Sequence, residues 1–273
     1  LGGDQGFGVG EIKLSVQGQN VAIRRSWELG VRPAYPPTRN IHYHVLKAGQ
    51  NYTLQPQWIA DFMPDTVDGT LTVSALPPLN IRGAIKGLLA YPYGCLEQTT
   101  SRAFPLVYID EAKARELGLT PFTLAQRADM IDKAITQLRA KQKVSGGFGL
   151  WDSNAPEEPW LTPYVLDFLL EARTQGFAVP DALLETGLKN LQTVMGNRAS
   201  GFSQQYWTNE VDHLRFAADA YAAYVLAKTG KASLGTLRTL FDNHRSGDKT
   251  GLPHVHLGVA LKLQGDPQRG DKA

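Results

Sequence analysis

Tyr91-Pro92-Tyr93-Gly94-Cys95-Leu96-Glu97-Gln98 holds the only cysteine among 273 residues. One cysteine cannot close an internal disulfide, so it either packs or reacts. A lone cysteine is commonly a buried, inert apolar residue. The neighbours argue for more. Pro92 and Gly94 punctuate the chain just before Cys95. From Leu96 onward, Leu-Glu-Gln-Thr-Thr-Ser-Arg-Ala-Phe reads as the opening of a helix. A cysteine at a helix start faces unpaired N–H groups and the positive end of the dipole. That setting favours thiolate over thiol. Gln98 follows three residues on, one turn away on the same face. A thiol and a carboxamide so placed can condense, releasing ammonia and leaving an intramolecular thioester. Such a bond needs shelter from water. Tyr91, Tyr93 and Leu96 are apolar enough to build one wall of that shelter. Glu97 has two open roles: it complements the dipole, worth about 0.3–1 kcal/mol at a surface, or it orients the amide of Gln98.

Composition sets the outer bounds. Hydrophobic residues make up 42% and charged residues 20%, as in an ordinary soluble globular protein. A formal net charge of +2, with no Lys/Arg block, argues against a nucleic-acid surface. No apolar run reaches transmembrane length. Leu1-Gly2-Gly3-Asp4 lacks the basic and apolar regions of a signal peptide, so the chain is expected to be an internal piece of something longer. A single free cysteine suits a reducing compartment. It suits equally an exported protein whose cysteine is chemically occupied.

Before the motif, residues 1–76 read as β. Ile12, Leu14 and Val16 alternate with polar neighbours, Gln17-Gly18-Gln19-Asn20 supplies a turn, and Val21 and Ile23 resume the alternation. Ile41–Val45, Tyr52–Leu54 and Thr70–Val73 are further strand candidates, separated by Pro33, Pro36-Pro37, Gly49 and Asp68-Gly69. Short strands joined by turns predict a small antiparallel sandwich or part of one. His42 and His44 share a strand face, but no third ligand accompanies them, so ordinary strand residues are expected rather than a metal pair. No cofactor motif is present.

Leu76-Pro77-Pro78-Leu79 marks a boundary, and residues 77–273 carry a helical period. Ile81, Ile85, Leu88 and Leu89 give a short helix leading into the motif. Helices are then expected over Ala103–Leu117, Leu124–Gln142, Leu161–Thr174, Asp181–Met195, Leu214–Thr229, Leu234–His244 and Val255–Leu263, with caps and glycines near their ends. Gly146-Gly147-Phe148-Gly149-Leu150-Trp151 and Gly201-Phe202-Ser203-Gln204-Gln205-Tyr206-Trp207 form a weak repeat, spaced by one helical hairpin. Each Trp is expected to plug the space between hairpins. The fold expected is mainly α: an α/α-toroid of antiparallel helical hairpins, incomplete at its C-terminal end, where Gln268–Ala273 reads as a polar tail. Terpene cyclases and prenyltransferases use similar turns, so the repeat speaks for the fold and not the chemistry.

Gly94-Cys95-Leu96-Glu97-Gln98 resembles the thioester motif of the α2-macroglobulin and complement family. With Tyr91-Pro92 before it and Thr99 and Ser101-Arg102 after it, the wording is most similar to bacterial α2-macroglobulins. The resemblance implies a thioester between Cys95 and Gln98, supported by Gly94 and Glu97, in a thioester domain that follows part of a CUB-like β domain. It implies an inhibitor, not an enzyme: cleavage of a bait segment by an endopeptidase triggers a rearrangement, and a Lys amine or hydroxyl of the protease attacks the exposed bond. Neighbouring domains of the parent chain shield the bond until then. No bait segment is recognisable here. The resemblance also implies a periplasmic protein, anchored to the inner membrane as a lipoprotein. Complement members that use an acyl-imidazole carry a His well downstream of the motif. The corresponding Gln204–Asn209 has none, and His213 falls in the next helix, so direct amine attack is expected.

Two other readings compete. A cysteine hydrolase or transglutaminase would pair Cys95 with a His base, and His244, His254 and His256 are available but lie in no recognisable pattern. A toroid binding module or cyclase would leave Cys95 inert, but Asp152, Glu157-Glu158 and Asp167 form no acidic motif of clear spacing.

Overall fold

In the computed structural model the described residues are 8–31, 38–63, 66–73, 81–90, 94–196 and 210–273. They divide into two compact units, Leu1–Leu71 and Thr72–Ala273. The expected boundary at residues 76 and 77 lies outside the described residues.

In the first unit, strands β1 (Gly8–Gly18) and β2 (Val21–Val31) form an antiparallel hairpin closed by Gln19-Asn20. The register pairs Ile12 with Trp27, Leu14 with Arg25 and Val16 with Ile23. Alternation therefore collects the apolar side chains on one face and Glu11, Lys13 and Ser15 on the other. A short helix α1 (Gln57–Ala60) follows. The strands expected at 41–45, 52–54 and 70–73 are not strands among the described residues, where the sheet has two strands. A strand needs a neighbour to satisfy its N–H and C=O groups, and an alternating pattern supplies none. Local packing takes over instead. His42 stacks on Trp58 with centroids 4.5 Å apart, and His44 on Tyr52 at 4.1 Å.

The second unit is helical: α2 (Ile81–Leu89), α3 (Leu96–Tyr108), α4 (Glu111–Glu116), α5 (Leu124–Lys141), α6 (Leu161–Thr174), α7 (Asp181–Gly196), α8 (Val211–Lys228), α9 (Leu234–His244), α10 (Gly251–Leu263) and α11 (Pro267–Gly270), with a 3-10 turn at Arg245–Gly247. The single helix expected over Ala103–Leu117 is broken. Ile109 leaves the helical region, and Asp110 caps α4 by accepting from the Lys113 N–H at 2.8 Å. The terminal residues expected as a plain polar tail form α11, and Ala273 packs on the core. At α5 the Thr123 hydroxyl and Gln126 amide close a reciprocal capping box, worth about 1 kcal/mol.

Helices α3, α6, α8 and α10 each touch the next, while α5 lies against α3 and α7 and α9 lie against the joins. This is the inner and outer ring of a partial α/α-toroid. Sequence explains the sorting. Outer helices show one apolar stripe: α5 buries Ile131, Ala134, Ile135 and Leu138. Inner helices α6 and α8 bury residues on more than one side. α6 buries Leu161, Val165, Leu166, Phe168, Leu169 and Ala172, and α8 offers Ala218, Ala220, Ala222, Ala223 and Ala227, which let neighbouring backbones approach. An ion cluster sits on the inner ring. Lys228 Nζ lies 2.7 Å from Asp167 Oδ1 and also pairs with Glu171; Tyr221 donates to Asp167 Oδ2 at 2.9 Å, and Tyr108 donates to Glu171.

Candidate functional site: the start of helix α3

The site is the first turn of an inner helix. Cys95 is the N-cap of α3, with extended backbone (φ −67°, ψ 170°) and no capping bond from its side chain. Its carbonyl accepts from the Thr99 N–H at 2.9 Å, which closes the first turn. Cys95 is a free thiol only 6% exposed, so it faces protein rather than water. Gln98 stands in that same turn, three residues on, and its side-chain oxygen Oε1 is buried without a hydrogen-bond partner. An orphaned buried acceptor costs roughly 1–3 kcal/mol, so its place one turn from the thiol calls for an explanation.

Around this pair the turn is fixed from several sides. Leu96 is fully buried, and its N–H donates to the carbonyl of Leu150 at 2.8 Å. Thr99 Oγ1 donates to Gln137 Oε1 of α5 at 3.3 Å, and Thr100 Oγ1 to the Leu96 carbonyl at 2.8 Å. Ser101 Oγ lies 2.7 Å from Glu97 Oε1 and 3.1 Å from the Tyr164 hydroxyl of α6. Burial pushes the Tyr164 phenol up from its ordinary value, and the Glu97 charge adds to the rise.

Leu150 belongs to the glycine-rich loop, which is built to deliver that one carbonyl. Gly146 takes φ +97°, and a Cβ there would fall 2.1 Å from the Thr186 carbonyl oxygen. A Cβ on Gly147 would strike the carboxylate of Glu157 at 2.1 Å. Glu157 in turn accepts from Thr162 Oγ1 at 3.0 Å, and the Phe148 N–H donates to that same hydroxyl at 3.2 Å. Phe148 is fully buried, whereas Trp151 is 63% exposed. The expected Trp plug is therefore corrected: the first aromatic of the loop fills the gap, because the loop turns outward after Leu150. Trp207, its counterpart in the repeat, lies outside the described residues.

The sequence-derived site residues sort as follows. Cys95, Leu96, Glu97 and Gln98 come together on one turn. A side chain at Gly94 would meet nothing within 4 Å, so no close approach there demands glycine. Tyr91 and Tyr93 lie outside the described residues. Ser101, Tyr164 and Leu150 were not singled out from sequence. Ser101 could have been found at i+4 from Glu97; Tyr164 and Leu150 are brought in by tertiary packing alone.

The competing chemistries lose their parts. His254 Nε2 faces Asp248 at 3.2 Å and its ring packs on Phe216; His256 stacks on Tyr221 at 4.3 Å, where burial holds it below its ordinary value. Asp152 accepts from the Asn154 and Ala155 N–H groups, Glu157 holds the loop, and Asp167 pairs with Lys228. No helix among the described residues is long and apolar enough to cross a membrane.

Comparison with known proteins agrees with this geometry. The family model "A-macroglobulin TED domain" matches residues 63–230. The α2-macroglobulin of Escherichia coli K12 is 40% identical over 274 aligned residues, covering 98% of this chain and 16% of the relative. A cryo-EM reconstruction of the native E. coli protein matches with TM-score 0.78 at 39% identity, over 98% of this chain and 17% of that one. A crystal structure of trypsin-activated E. coli α2-macroglobulin matches with TM-score 0.64 at 34% identity, over 98% and 19%. The chain thus spans about a sixth of the length of the curated relatives it matches. With an N-cap cysteine and a glutamine on the first turn of an inner toroid helix, and a family match running through both, the chain belongs to the A-macroglobulin family and carries its TED domain.

Proposed function

We propose that this chain is the thioester-bearing part of a bacterial protease trap. Cys95 and Gln98 condense across one helical turn: the S–C bond forms, the C–N bond of the carboxamide breaks, and the thiol proton leaves with ammonia. The observation that carries the reading is the pairing of a buried N-cap thiol with a buried, unpartnered carboxamide oxygen three residues on. N–H groups of the helix start stabilise the charge that develops on that oxygen during acyl transfer. The bond is used once. An endopeptidase that cleaves a bait segment elsewhere in the parent chain triggers exposure, and one of its Lys amines, or a hydroxyl, takes the acyl group from Cys95. Supporting this, a relative was solved after activation by trypsin. Tyr91 and Tyr93, with neighbouring domains, shield the bond beforehand. The parent protein works in the periplasm, tethered to the inner membrane as a lipoprotein, where proteases from outside would be met.

The test is mass and titration on the full-length protein. Freshly purified protein should weigh one ammonia less than its sequence. Methylamine should add to Gln98 and release one titratable thiol at Cys95. Cys95→Ala should abolish thiol release and covalent protease capture while the helical fold survives. A full sequence mass, with Cys95 titrating before any amine is added, would falsify the thioester.

A further inference from the structure

Glu97 lies between the two thioester residues in sequence, and the acyl chemistry above leaves its carboxylate unused. A free carboxylate beside an acyl carbon is a hazard, because it can act as a general base on water. In the structure it is not free. Ser101, one turn along α3, donates its single hydroxyl proton to Glu97 Oε1 at 2.7 Å. The contact between Ser101 Oγ and the Tyr164 hydroxyl, 3.1 Å, must then run with Tyr164 as donor. Ser101 is buried. The hydroxyl thereby holds the carboxylate along the helix, on the side where Ser101 meets Tyr164 of α6.

We infer that Ser101 and Tyr164 are positioning residues that hold the Glu97 carboxylate off the thioester and so protect the bond from hydrolysis. The inference rests on the Cys95–Gln98 thioester proposed above. The reaction they suppress needs only water. Its oxygen adds to the Gln98 acyl carbon and its proton passes to Glu97. The C–S bond then breaks, Cys95 leaves as thiolate, and the proton returns to sulfur. The products are a carboxylic acid at position 98 and a free thiol. The clamp is not needed to hold the turn itself: Leu96 is fixed by Leu150, and Thr99 by Gln137. Nor does the Tyr164 ring need its hydroxyl to pack, since its centroid lies 5.7 Å from that of Phe104.

Full-length wild type, Tyr164→Phe, Ser101→Ala, Ser101→Thr and the Glu97→Gln/Tyr164→Phe double variant provide the test. Mass comes first: wild type lacking the ammonia deficit would remove the thioester reading itself, before the clamp is at issue. Thioester half-life in buffer and the rate of methylamine uptake are then measured. Losing the hydroxyl in Tyr164→Phe or Ser101→Ala should shorten the half-life about a hundredfold, the low end of what a general base supplies, with little change in methylamine uptake. Ser101→Thr keeps the hydroxyl and should behave as wild type, and the double variant should regain the wild-type half-life. Unchanged half-lives overturn the inference. So does an equal rise in water and amine attack that persists in the double variant, which would signal loosened packing. A double variant that cannot form the thioester would assign Glu97 to bond closure, and overturns it too.

Discussion

The hairpin and the toroid are both strongly patterned, yet they use their patterns differently. On β1 and β2, Ile12, Val16, Ile23 and Trp27 share one face, and each is about half exposed, Ile12 at 50% and Trp27 at 47%. On α5 and α6 the corresponding apolar positions are buried, with Leu138 and Phe168 at 0%. Period identifies the element and its apolar face. It does not say whether that face finds a partner. A two-stranded ladder alone is marginal in water, whereas four inner helices lined by outer ones close a continuous core. Cys95 and Gln98 sit on the helical unit, and the acyl group proposed there would need such rigidity and dryness.

The largest effect that tests this contrast is Phe168→Ala. It removes a fully buried ring of the inner ring that packs edge-on to Phe104 at 5.8 Å. Large-to-small changes of this kind cost about 3–5 kcal/mol. Urea unfolding followed by far-UV circular dichroism should show that loss in the helical transition. Next comes Gly146→Ala, where a positive φ and the Thr186 carbonyl oxygen both oppose a Cβ. Moving the loop to make room should cost about 1–3 kcal/mol. Because Leu150 anchors Leu96, it should also shorten the thioester lifetime in the full-length protein. A destabilised fold with an unchanged thioester lifetime would separate the loop from the site.

Much of this was legible in sequence. The helices over Leu161–Thr174 and Leu234–His244 run as their period and caps dictate, and the cysteine and glutamine share the expected turn. What failed was whatever depends on partners. Thr70–Val73 alternates like a strand but is not one in the structure. Trp151, a large aromatic after a glycine turn, reads as core, yet the loop spends its interior volume on Phe148. The break at Ile109 was missed although Asp110, a preferred N-cap residue, signals a new helix start inside the apolar run. Tyr164 reached the site only through the packing of α6 on α3, which no local pattern encodes.

A middle-sized effect concerns the inner-ring ion cluster. Burial opposes the Glu171 carboxylate, but hydrogen bonds from Lys228 and Tyr108 hold it below the usual carboxylate range. Its folded-state value is depressed, so the unfolded chain binds the proton more readily. The resulting stability is fully present above the ordinary carboxylate value, and it is lost as pH falls through the lower folded value. For Lys228 burial opposes the charge, yet Asp167 and Glu171 raise it above its ordinary value. Its contribution is present below the ordinary lysine value and lost as pH rises through the raised one. Thermal melts of the helical unit should therefore fall at both acid and strongly alkaline pH. Lys228→Met should flatten both limbs while lowering the melting temperature at neutral pH, because Asp167 and Glu171 are left without their cation. A variant with unchanged limbs would move the pH dependence to other groups.

The smallest effect belongs to the hairpin. Leu14 lies on its apolar face opposite Arg25, about half exposed. Replacing it by Lys removes little buried area and sets two like charges across from one another. That repulsion costs a few tenths of a kcal/mol up to about 1 kcal/mol in an isolated ladder. If the face is open to water in solution as it is here, Leu14→Lys should leave the helical melting transition in place and slightly fray the hairpin, read as faster amide exchange at Val16 and Ile23. If instead a further part of the full-length protein covers that face, the same substitution buries a charge. It should then cost several times more in the full-length protein than in this chain alone. Measuring the one substitution in both contexts decides whether the exposed face is a feature of the hairpin or of its isolation. An equal, small cost in the two would mean that its apolar alternation serves the ladder itself.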